Sequence, residues 1–312
     1  MADWPRTVVE LATPQDVAAG VGGVYTSSYN LSNTAEGVMV LPGMKGFDAP
    51  AFTLFHDEMP ALDGGYLRHV RAPARQLFIP VVLTAPDRPG LLALKRGFLA
   101  SLNPMNGPCR ITFTEGDGSR RFIDAYYYDG ATGSEGTDDA GFLWVKYGLV
   151  FRALDPYFYA GVSQSIRFTT GNLQLNPFFG DPFLNRPLLN KAHSLNGEST
   201  ITITGDVDTY PTWTIHGPTT GMTFTRQIAG QPDQSFSLNT SLSETRAVIV
   251  DTRPRSKSVR DAETGENLWQ YLGPSPHLWP VAPGTNKVVI NIDGVGGETS
   301  VTLSYLPRFI SA

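Results

Sequence analysis

Hydrophobic and polar residues follow two different patterns along the 312-residue chain, and the first half contains one clear helical pattern. Apolar residues recur there at three- and four-residue steps and so share one face of a helix: Leu91, Leu94, Phe98 and Leu102. Asp87 can cap the start of this segment, and Asn103-Pro104 ends it. The pattern predicts one amphipathic helix within 86–104.

The rest of the first half favours strands and loops. The stretch "CRITFTEGDGSRRFIDAYYY" (109–128) alternates apolar and polar positions around the turn residues "EGDGS", which predicts a β-hairpin. Residues 129–141 lack apolar periodicity and predict a loop before the strand "FLWVKYGLVFRAL". A second region, 42–66, is rich in Gly, Pro and Asp, and we expect a flexible loop that cannot form a core alone.

After residue 160 the pattern changes to short alternating segments separated by Gly, Pro, Asn and Asp. These are "TITITGDV", "PTWTIHG", "GMTFTRQI", "SFSLNT", "AVIVDT", "NKVVINIDG" and "TSVTLSYLP". Seven such strands without a helical pattern predict a β-sandwich of about 150 residues. The chain is therefore expected to form two domains, 1–160 and 161–312.

An aromatic run stands where the two patterns meet, in "LVFRALDPYFYAG" (149–161). Tyr157, Phe158 and Tyr159 follow an Asp-Pro step at the end of a strand. They could fill a seam between the domains or form a stacking platform for sugars or bases. The seam is favoured, because a proline-restrained turn packed by aromatics fixes the orientation of adjoining domains.

Composition narrows the class of protein. With 32 Gly and 24 Pro the chain is rich in turns, and only 17% of its residues are charged. The net charge of −5 gives no basic field for nucleic acid, and no apolar stretch approaches the roughly 20 residues that span a membrane. The single cysteine, Cys109, excludes an internal disulfide and fits a reducing cytoplasm, and the first residues lack the pattern of a signal peptide.

Motifs for chemistry are absent from the sequence, so no catalytic, cofactor-binding or metal site is predicted. The histidines are His56, His69, His193, His216 and His277. No two of them have the i, i+4 spacing of a helical zinc pair, and no G-x-S-x-G elbow occurs. The acidic groups "EGTDD" (135–139) and "GDVDT" (205–209) are interpreted as solvated loops rather than calcium ligands. The basic stretch 253–269 is interpreted as an exposed hairpin that turns at "ETGEN".

Several stretches occur together in an order that resembles one family. They are "GVYTSSYNLSNTAEGVMVLPG", "LKRGFLASLNPMNGPCRITFTEGDGSRRFIDAYY", "FRALDPYFY", "YPTWTIHGPTTGMTF", "AVIVDTRPRSKSVRDAETGENLWQYL", "HLWPVAPGTNKVVINIDG" and "SVTLSYLPRFISA". Their most specific features are Asp155-Pro156-Tyr157, "PGTNKVVI" and "YLPRF". Covering nearly the whole chain, this order resembles the distal tail proteins of siphophages, the long-tailed, non-contractile bacteriophages.

The resemblance implies a mainly β fold of two domains. Residues 1–160 would be a tail-tube-like β-sandwich or split barrel with one α-helix that assembles into a homo-hexameric ring. Residues 161–312 would be a galectin-like β-sandwich of the jelly-roll type. The ring would join the tail tube and tape measure proteins to the tail-tip hub and the receptor-binding protein. Such a protein would be a structural part of the virion, assembled in the host cytoplasm, with no cofactor, nucleic acid or membrane.

A second hypothesis makes the sandwich a carbohydrate-binding module for host cell-wall glycans. Stacking on a sugar requires an exposed flat aromatic side chain with polar neighbours. Trp213 alternates into the predicted core and is expected to be buried, whereas Trp269 and Trp279 stand beside turns and are the candidates.

Overall fold

The computed structural model describes residues 7–13, 27–59, 63–133, 143–169, 194–228, 230 and 232–312. The chain divides into two compact units. Unit 1 comprises Met1–Gly161 together with Phe309–Ala312, and unit 2 comprises Val162–Arg308. The sequence pattern had assigned residues 309–312 to the second domain, but these residues belong to unit 1.

The described residues are mostly β-strands. In unit 1 the elements are β1 (Val8–Thr13), β2 (Ser27–Asn30), β3 (Val38–Val40), β4 (Thr53–Glu58), β5 (Gly65–Arg71), β6 (Arg75–Thr84), α1 (Arg88–Ser101), β7 (Cys109–Thr114), β8 (Arg120–Asp129), β9 (Trp144–Ala153) and β10 (Phe158–Ala160). They are followed by β11 (Gln164–Thr169), β12 (Ser194–Ile203), β13 (Thr212–His216), β14 (Gly221–Gln227), β15 (Gln234–Leu238), β16 (Ala247–Asp251), β17 (Ser258–Asp261), β18 (Gly284–Asp293), β19 (Ser300–Tyr305) and β20 (Arg308–Phe309). Short 3-10 helices occupy Thr34–Glu36, Pro104–Asn106 and Trp269–Tyr271.

Unit 1 is built on one large antiparallel sheet with the order β2-β1-β7-β8-β9-β6-β3, and β10 pairs with β8 and β20. Strand β6 alternates strictly, so its inward side chains are fully buried: Leu77, Ile79, Val81 and Leu83. Helix α1 begins after Asp87, whose carboxylate accepts a hydrogen bond from the Gly90 backbone N–H. Its Leu91 and Phe98 are buried in the same core. The helix and the 109–128 hairpin predicted from the sequence are confirmed.

Unit 2 consists of a five-stranded sheet, β11-β19-β13-β16-β17, and a four-stranded sheet, β12-β18-β14-β15. Side chains from both sheets share one core, with Trp213, Phe224 and Trp279 fully buried in it. The part of unit 2 that the structure describes contains no α-helix. The predicted mainly β fold with a β-sandwich in the second half is therefore confirmed. Within the described ranges, no helix has the length and apolar character needed to cross a membrane.

Residues 309–312 complete unit 1. The backbone N–H of Ala312 donates to the carbonyl of Phe47 at 2.9 Å, and Arg75 donates to the carbonyl of Ile310 at 2.7 Å. The guanidinium carbon of Arg121 lies 3.9 Å from the ring centroid of Phe309. Unit 2 is thus inserted in the chain between two segments of unit 1.

The reactivity of Cys109 reports on whether the core of unit 1 is packed. Its side chain is buried in that core, and burial raises the pKa of the thiol to about 12, with a further contribution from the nearby charge of Asp124. The thiolate is the reactive form, so we expect Cys109 to resist a thiol reagent at pH 8 in the folded protein. One thiol should become reactive when denaturant is added. Rapid labelling of the native chain would contradict this burial.

Candidate assembly surface

The β4–β5 hairpin has no buried side chain, although it is part of unit 1. Every residue of both strands is exposed, and among the residues that the structure describes the two strands pair only with each other. The composition of 42–66 predicted a flexible loop, and this prediction is wrong for 53–58 and for Gly65 onward, which form strands. Earlier in the same segment, Met44 and Phe47 pack against the core of unit 1.

Large apolar side chains are concentrated in this segment. Of the fourteen exposed large apolar side chains among the described residues, half lie between positions 52 and 70. These seven are Phe52, Leu54, Phe55, Met59, Tyr66, Leu67 and Val70. Because scattered apolar residues are normal on a surface but a cluster is not, this hairpin is the candidate interaction surface of unit 1.

One side of the hairpin, here called the apolar face, presents aliphatic side chains. Leu54 lies directly opposite Val70, and the next pair on this side is His56 with Leu67. Leu54 is 58% exposed, and Leu67 is 52% exposed. Cross-strand neighbours of this kind lie within contact distance, so the three aliphatic side chains form one continuous patch.

The opposite side, here called the aromatic face, combines rings with positive charge. Phe55 stacks on its cross-strand partner His69 with 6.2 Å between ring centroids, and the Arg71 guanidinium carbon lies 6.0 Å from the Phe55 centroid. A register shift after Phe55 places Arg68 beside Asp57, and these two form an ion pair.

The stability of this hairpin requires explanation. A two-stranded hairpin without a packed face is marginal in water, and burying one Leu or Val side chain contributes about 1.5–3 kcal/mol. The outer edges of β4 and β5 are not paired with any other strand in the described part of the chain, and open strand edges favour pairing with another chain. The hairpin therefore has the properties of a surface that becomes ordered by contact with a partner.

The aromatic run predicted to form a domain seam lies entirely in unit 1: Tyr157, Phe158 and Tyr159. Phe158 is fully buried in the core of unit 1, with its ring centroid 6.1 Å from that of Phe113. Tyr159 stacks on Phe122 at 5.6 Å and donates a hydrogen bond to Asp155 at 2.6 Å. These contacts explain the aromatic content of the segment within unit 1, and a seam role stays a prediction.

The two tryptophans proposed as glycan-stacking residues have different surroundings. Trp279 is fully buried, its indole N–H donating to the carbonyl of Phe224, so it offers no face to a sugar. Trp269 lies on the Trp269–Tyr271 turn of 3-10 helix and is 42% exposed. Its role in glycan binding stays a prediction. Trp213 is buried, as its alternation predicted.

The acidic groups and histidines considered in the sequence form no metal-binding group within the described residues. The acidic group at 135–139 and His193 lie outside those residues. In the second acidic group, Asp208 uses its backbone carbonyl to accept a hydrogen bond from Arg308. Within the ranges described, no three His, Cys, Asp or Glu side chains are grouped so that they could hold a metal ion.

The basic stretch 253–269 contains the predicted hairpin turn, and one carboxylate organises it. Asp261 is 2% exposed, and its Oδ1 accepts hydrogen bonds from the backbone N–H groups of Thr264 and Glu263 at 2.9 and 3.0 Å. Its Oδ2 accepts from Arg246 at 2.8 Å. The hydrogen bond from Thr264, followed by those from Arg246 and Glu263, lowers the pKa of Asp261 to about 2.

This pKa predicts an acid-labile part of the stability of unit 2. A carboxyl whose pKa is lower in the folded than in the unfolded chain stabilises the fold above pH of about 4, and the contribution disappears as pH falls toward 2. We expect Asp261→Asn to lower the thermal midpoint at pH 7 and to have progressively less effect below pH of about 4. The exposed neighbour Glu263, changed to Gln, is the control. An equal effect of Asp261→Asn at all pH values would contradict the prediction.

No protein-family model matches the sequence, and no curated protein gives a significant match. Solved structures do match. The Dit protein (gp 19.1) of phage SPP1, described as a paradigm of the hub adsorption apparatus in phages that infect Gram-positive bacteria, aligns with a TM-score of 0.62 at 16% identity. The alignment covers 86% of this chain and 93% of the Dit chain.

The baseplate of phage P2 gives two further matches, from its activated conformation with calcium and with strontium. Each has a TM-score of 0.55 at 8% identity and covers 96% of this chain and 98% of the baseplate chain. The matched chains extend over both units, so the two-unit fold is the fold of phage hub and baseplate proteins. The resemblance to siphophage distal tail proteins, inferred from the sequence, is confirmed at the level of the fold.

Proposed function

We propose that this chain is a structural virion protein of a siphophage tail tip, a distal tail protein that assembles into a homo-hexameric ring. The observation that carries the proposal is the β4–β5 hairpin, a coreless and apolar ribbon on a unit that is otherwise well packed. The shared fold with the SPP1 Dit protein and the P2 baseplate supports the same assignment. A closed ring of identical subunits repeats one contact between two different surfaces of each copy, and the hairpin would be one of these surfaces.

The ring would act as an adaptor. One side would meet the tail tube and the tape measure protein, and the other would meet the tail-tip hub, with the receptor-binding protein attached around the rim. In this function unit 1 forms the ring and unit 2 is the galectin-like β-sandwich. The function depends on shape and contact rather than on a reaction, so the residues that matter most are those of the interfaces.

Light scattering on the purified chain, combined with negative-stain images, tests the proposal. We expect a closed assembly whose mass is six times the 33.9 kDa of one chain and whose images show a ring. Antibody labelling of intact phage particles should place the protein at the tail tip. A chain that stays monomeric at high concentration, together with labelling away from the tail tip, would contradict the proposal.

A further inference from the structure

The β4–β5 hairpin is joined to the rest of unit 1 through two root segments, 45–52 before β4 and 72–78 after β5. Its strands bury no side chain, so the direction of the hairpin depends on how these two roots are held. The backbones of Lys45 and Phe78 exchange two hydrogen bonds, of 2.9 and 3.0 Å. This bridge joins the two roots at the end that lies furthest from the hairpin along the chain.

Residues 309–312, here called the strap, contact both roots closer to the hairpin. The backbone N–H of Ala312 donates to the carbonyl of Phe47 at 2.9 Å, and Nη2 of Arg75 donates to the carbonyl of Ile310 at 2.7 Å. Phe47 belongs to the root before β4, and Arg75 belongs to the root after β5. The strap therefore bridges the two roots with one hydrogen bond to each.

The strap is itself anchored on the packed part of unit 1. Nη1 of Arg121, on β8, donates to the carbonyls of Ser311 and Ala312 at 3.1 and 3.3 Å. The guanidinium carbon of Arg121 lies 3.9 Å from the ring centroid of Phe309. The side chains of Phe309 and Ala312 also pack against the core of unit 1. The strap thus connects the roots of an exposed hairpin to a sheet that is rigidly packed.

The contact made by Arg75 has an energetic cost. Its side chain is 4% exposed and lies 5.2 Å from the ring centroid of Phe158. Burial lowers the pKa of Arg75, and the nearby Tyr157 and Asp48 oppose this effect in part. Its Nε and Nη1 have no hydrogen-bond partner in the part of the chain that the structure describes, which leaves the carbonyl of Ile310 as the acceptor found there. Because a buried charge with so few hydrogen bonds costs stability, a role in holding the strap explains Arg75 better than a gain in stability does.

We propose that the strap fixes the direction of the β4–β5 hairpin by clamping its two roots. A surface that is held in one direction loses less conformational freedom when it meets a partner, so the strap would strengthen the contact that the hairpin makes. The inference rests on the proposed function only in treating the hairpin as an interaction surface. It adds a segment of the same unit that controls this surface.

The distance between two spin labels on one chain measures the direction of the hairpin. One label is attached at Tyr66→Cys in the hairpin and the other at Arg96→Cys on the exposed side of α1, while the buried Cys109 stays unlabelled. In all chains the three aliphatic residues of the apolar face are changed to Ser, so that no partner chain holds the hairpin. The six residues of β4 span about 20 Å, so a tilt at the roots displaces the label at 66 by several ångströms. We expect one narrow distance distribution in the chain with an intact strap.

Two changes to the strap contacts should broaden this distribution. Deletion of residues 309–312 removes the bridge between the roots, and we expect a distribution that is wider by several ångströms. Arg75→Met removes the donor to Ile310 and replaces a poorly bonded buried charge by an apolar side chain, so the distribution should broaden while the thermal midpoint stays nearly unchanged. Labels at Arg96→Cys and Tyr128→Cys, both outside the hairpin, are the matched control and should keep a narrow distribution in every chain.

A distribution that stays narrow after deletion of the strap overturns the inference. Equal broadening of the control pair also overturns it, because unit 1 as a whole would then have loosened. If the deleted chain does not fold, Arg75→Met decides, and an unchanged distribution in that variant overturns the inference. The labels report on a single chain, so these results leave the proposed ring standing, whereas a wild-type chain that never assembles contradicts the proposed function alone.

Discussion

A chain in which residues 54–70 are replaced by Asn-Gly is expected to be a folded monomer. Thr53 and Arg71 are direct cross-strand partners, so a two-residue turn can join them without strain. None of the described residues in 54–59 and 63–70 belongs to the core of unit 1, and the segment before them keeps its contact through the Lys45–Phe78 bridge. The expected change is complete loss of the assembly with little change in the stability of unit 1. Light scattering and thermal unfolding measure the two quantities.

Point variants on the two sides of the hairpin provide the matched control. Changing Leu54, Leu67 and Val70 to Ser removes the apolar face and should abolish assembly as the deletion does, because each side chain would contribute about 1.5–3 kcal/mol by burial in the proposed subunit contact. Changing Thr53 to Ser on the aromatic face should leave assembly intact. If the deleted chain assembles normally, the hairpin is not the subunit contact.

Trp213→Ala is expected to have the largest effect on folding, and to affect unit 2. Trp213 is fully buried, with ring centroids 4.7 Å from Phe224, 5.5 Å from Trp279 and 6.2 Å from Phe236. Replacing a buried tryptophan by alanine costs about 3–5 kcal/mol, because the cavity left among rigid rings closes only in part. This is a large share of the stability of a domain.

Hydrogen exchange followed by mass spectrometry separates the two units. The strands of unit 2 should lose protection in Trp213→Ala, while those around Cys109 in unit 1 keep theirs, because each unit has its own core. Trp269→Ala, at an exposed position of the same unit, should change stability by about 0.5 kcal/mol or less. A uniform loss of protection in both units would show that they unfold together.

The sequence predicted those elements that are determined by residues close together in the chain. Helix α1 has its period and its Asp87 cap in the sequence, and the β7–β8 hairpin has a turn closed by the hydrogen bond from Glu115 to Ser119. The β4–β5 hairpin was missed because strand patterns are recognised by one buried side, and this ribbon has none. Its best signal in the sequence was the turn-forming composition Asp63-Gly64-Gly65 between two segments of mixed apolar and polar residues.

The burial of the predicted site residues could not be inferred from the local sequence either. Trp279 lies between prolines and a histidine, a composition typical of a turn, and only the sandwich core decides that its ring is buried. Phe158 follows an Asp-Pro step that indicates a boundary, yet its ring completes the core of unit 1. In both cases the local sequence indicated the backbone conformation, a turn or a boundary. Burial of the ring depends instead on residues that are distant in the chain.

The insertion of unit 2 within unit 1 has a consequence for biosynthesis. A ribosome makes residues 309–312 only after all of unit 2, so the nascent chain holds an incomplete unit 1 while unit 2 emerges. Until then Arg121 lacks Phe309 and Arg75 lacks the carbonyl of Ile310. A chain whose synthesis stops before residue 309 would lack these contacts, so its unit 1 would stay incomplete. Such a truncated subunit would differ from a complete one before any assembly takes place.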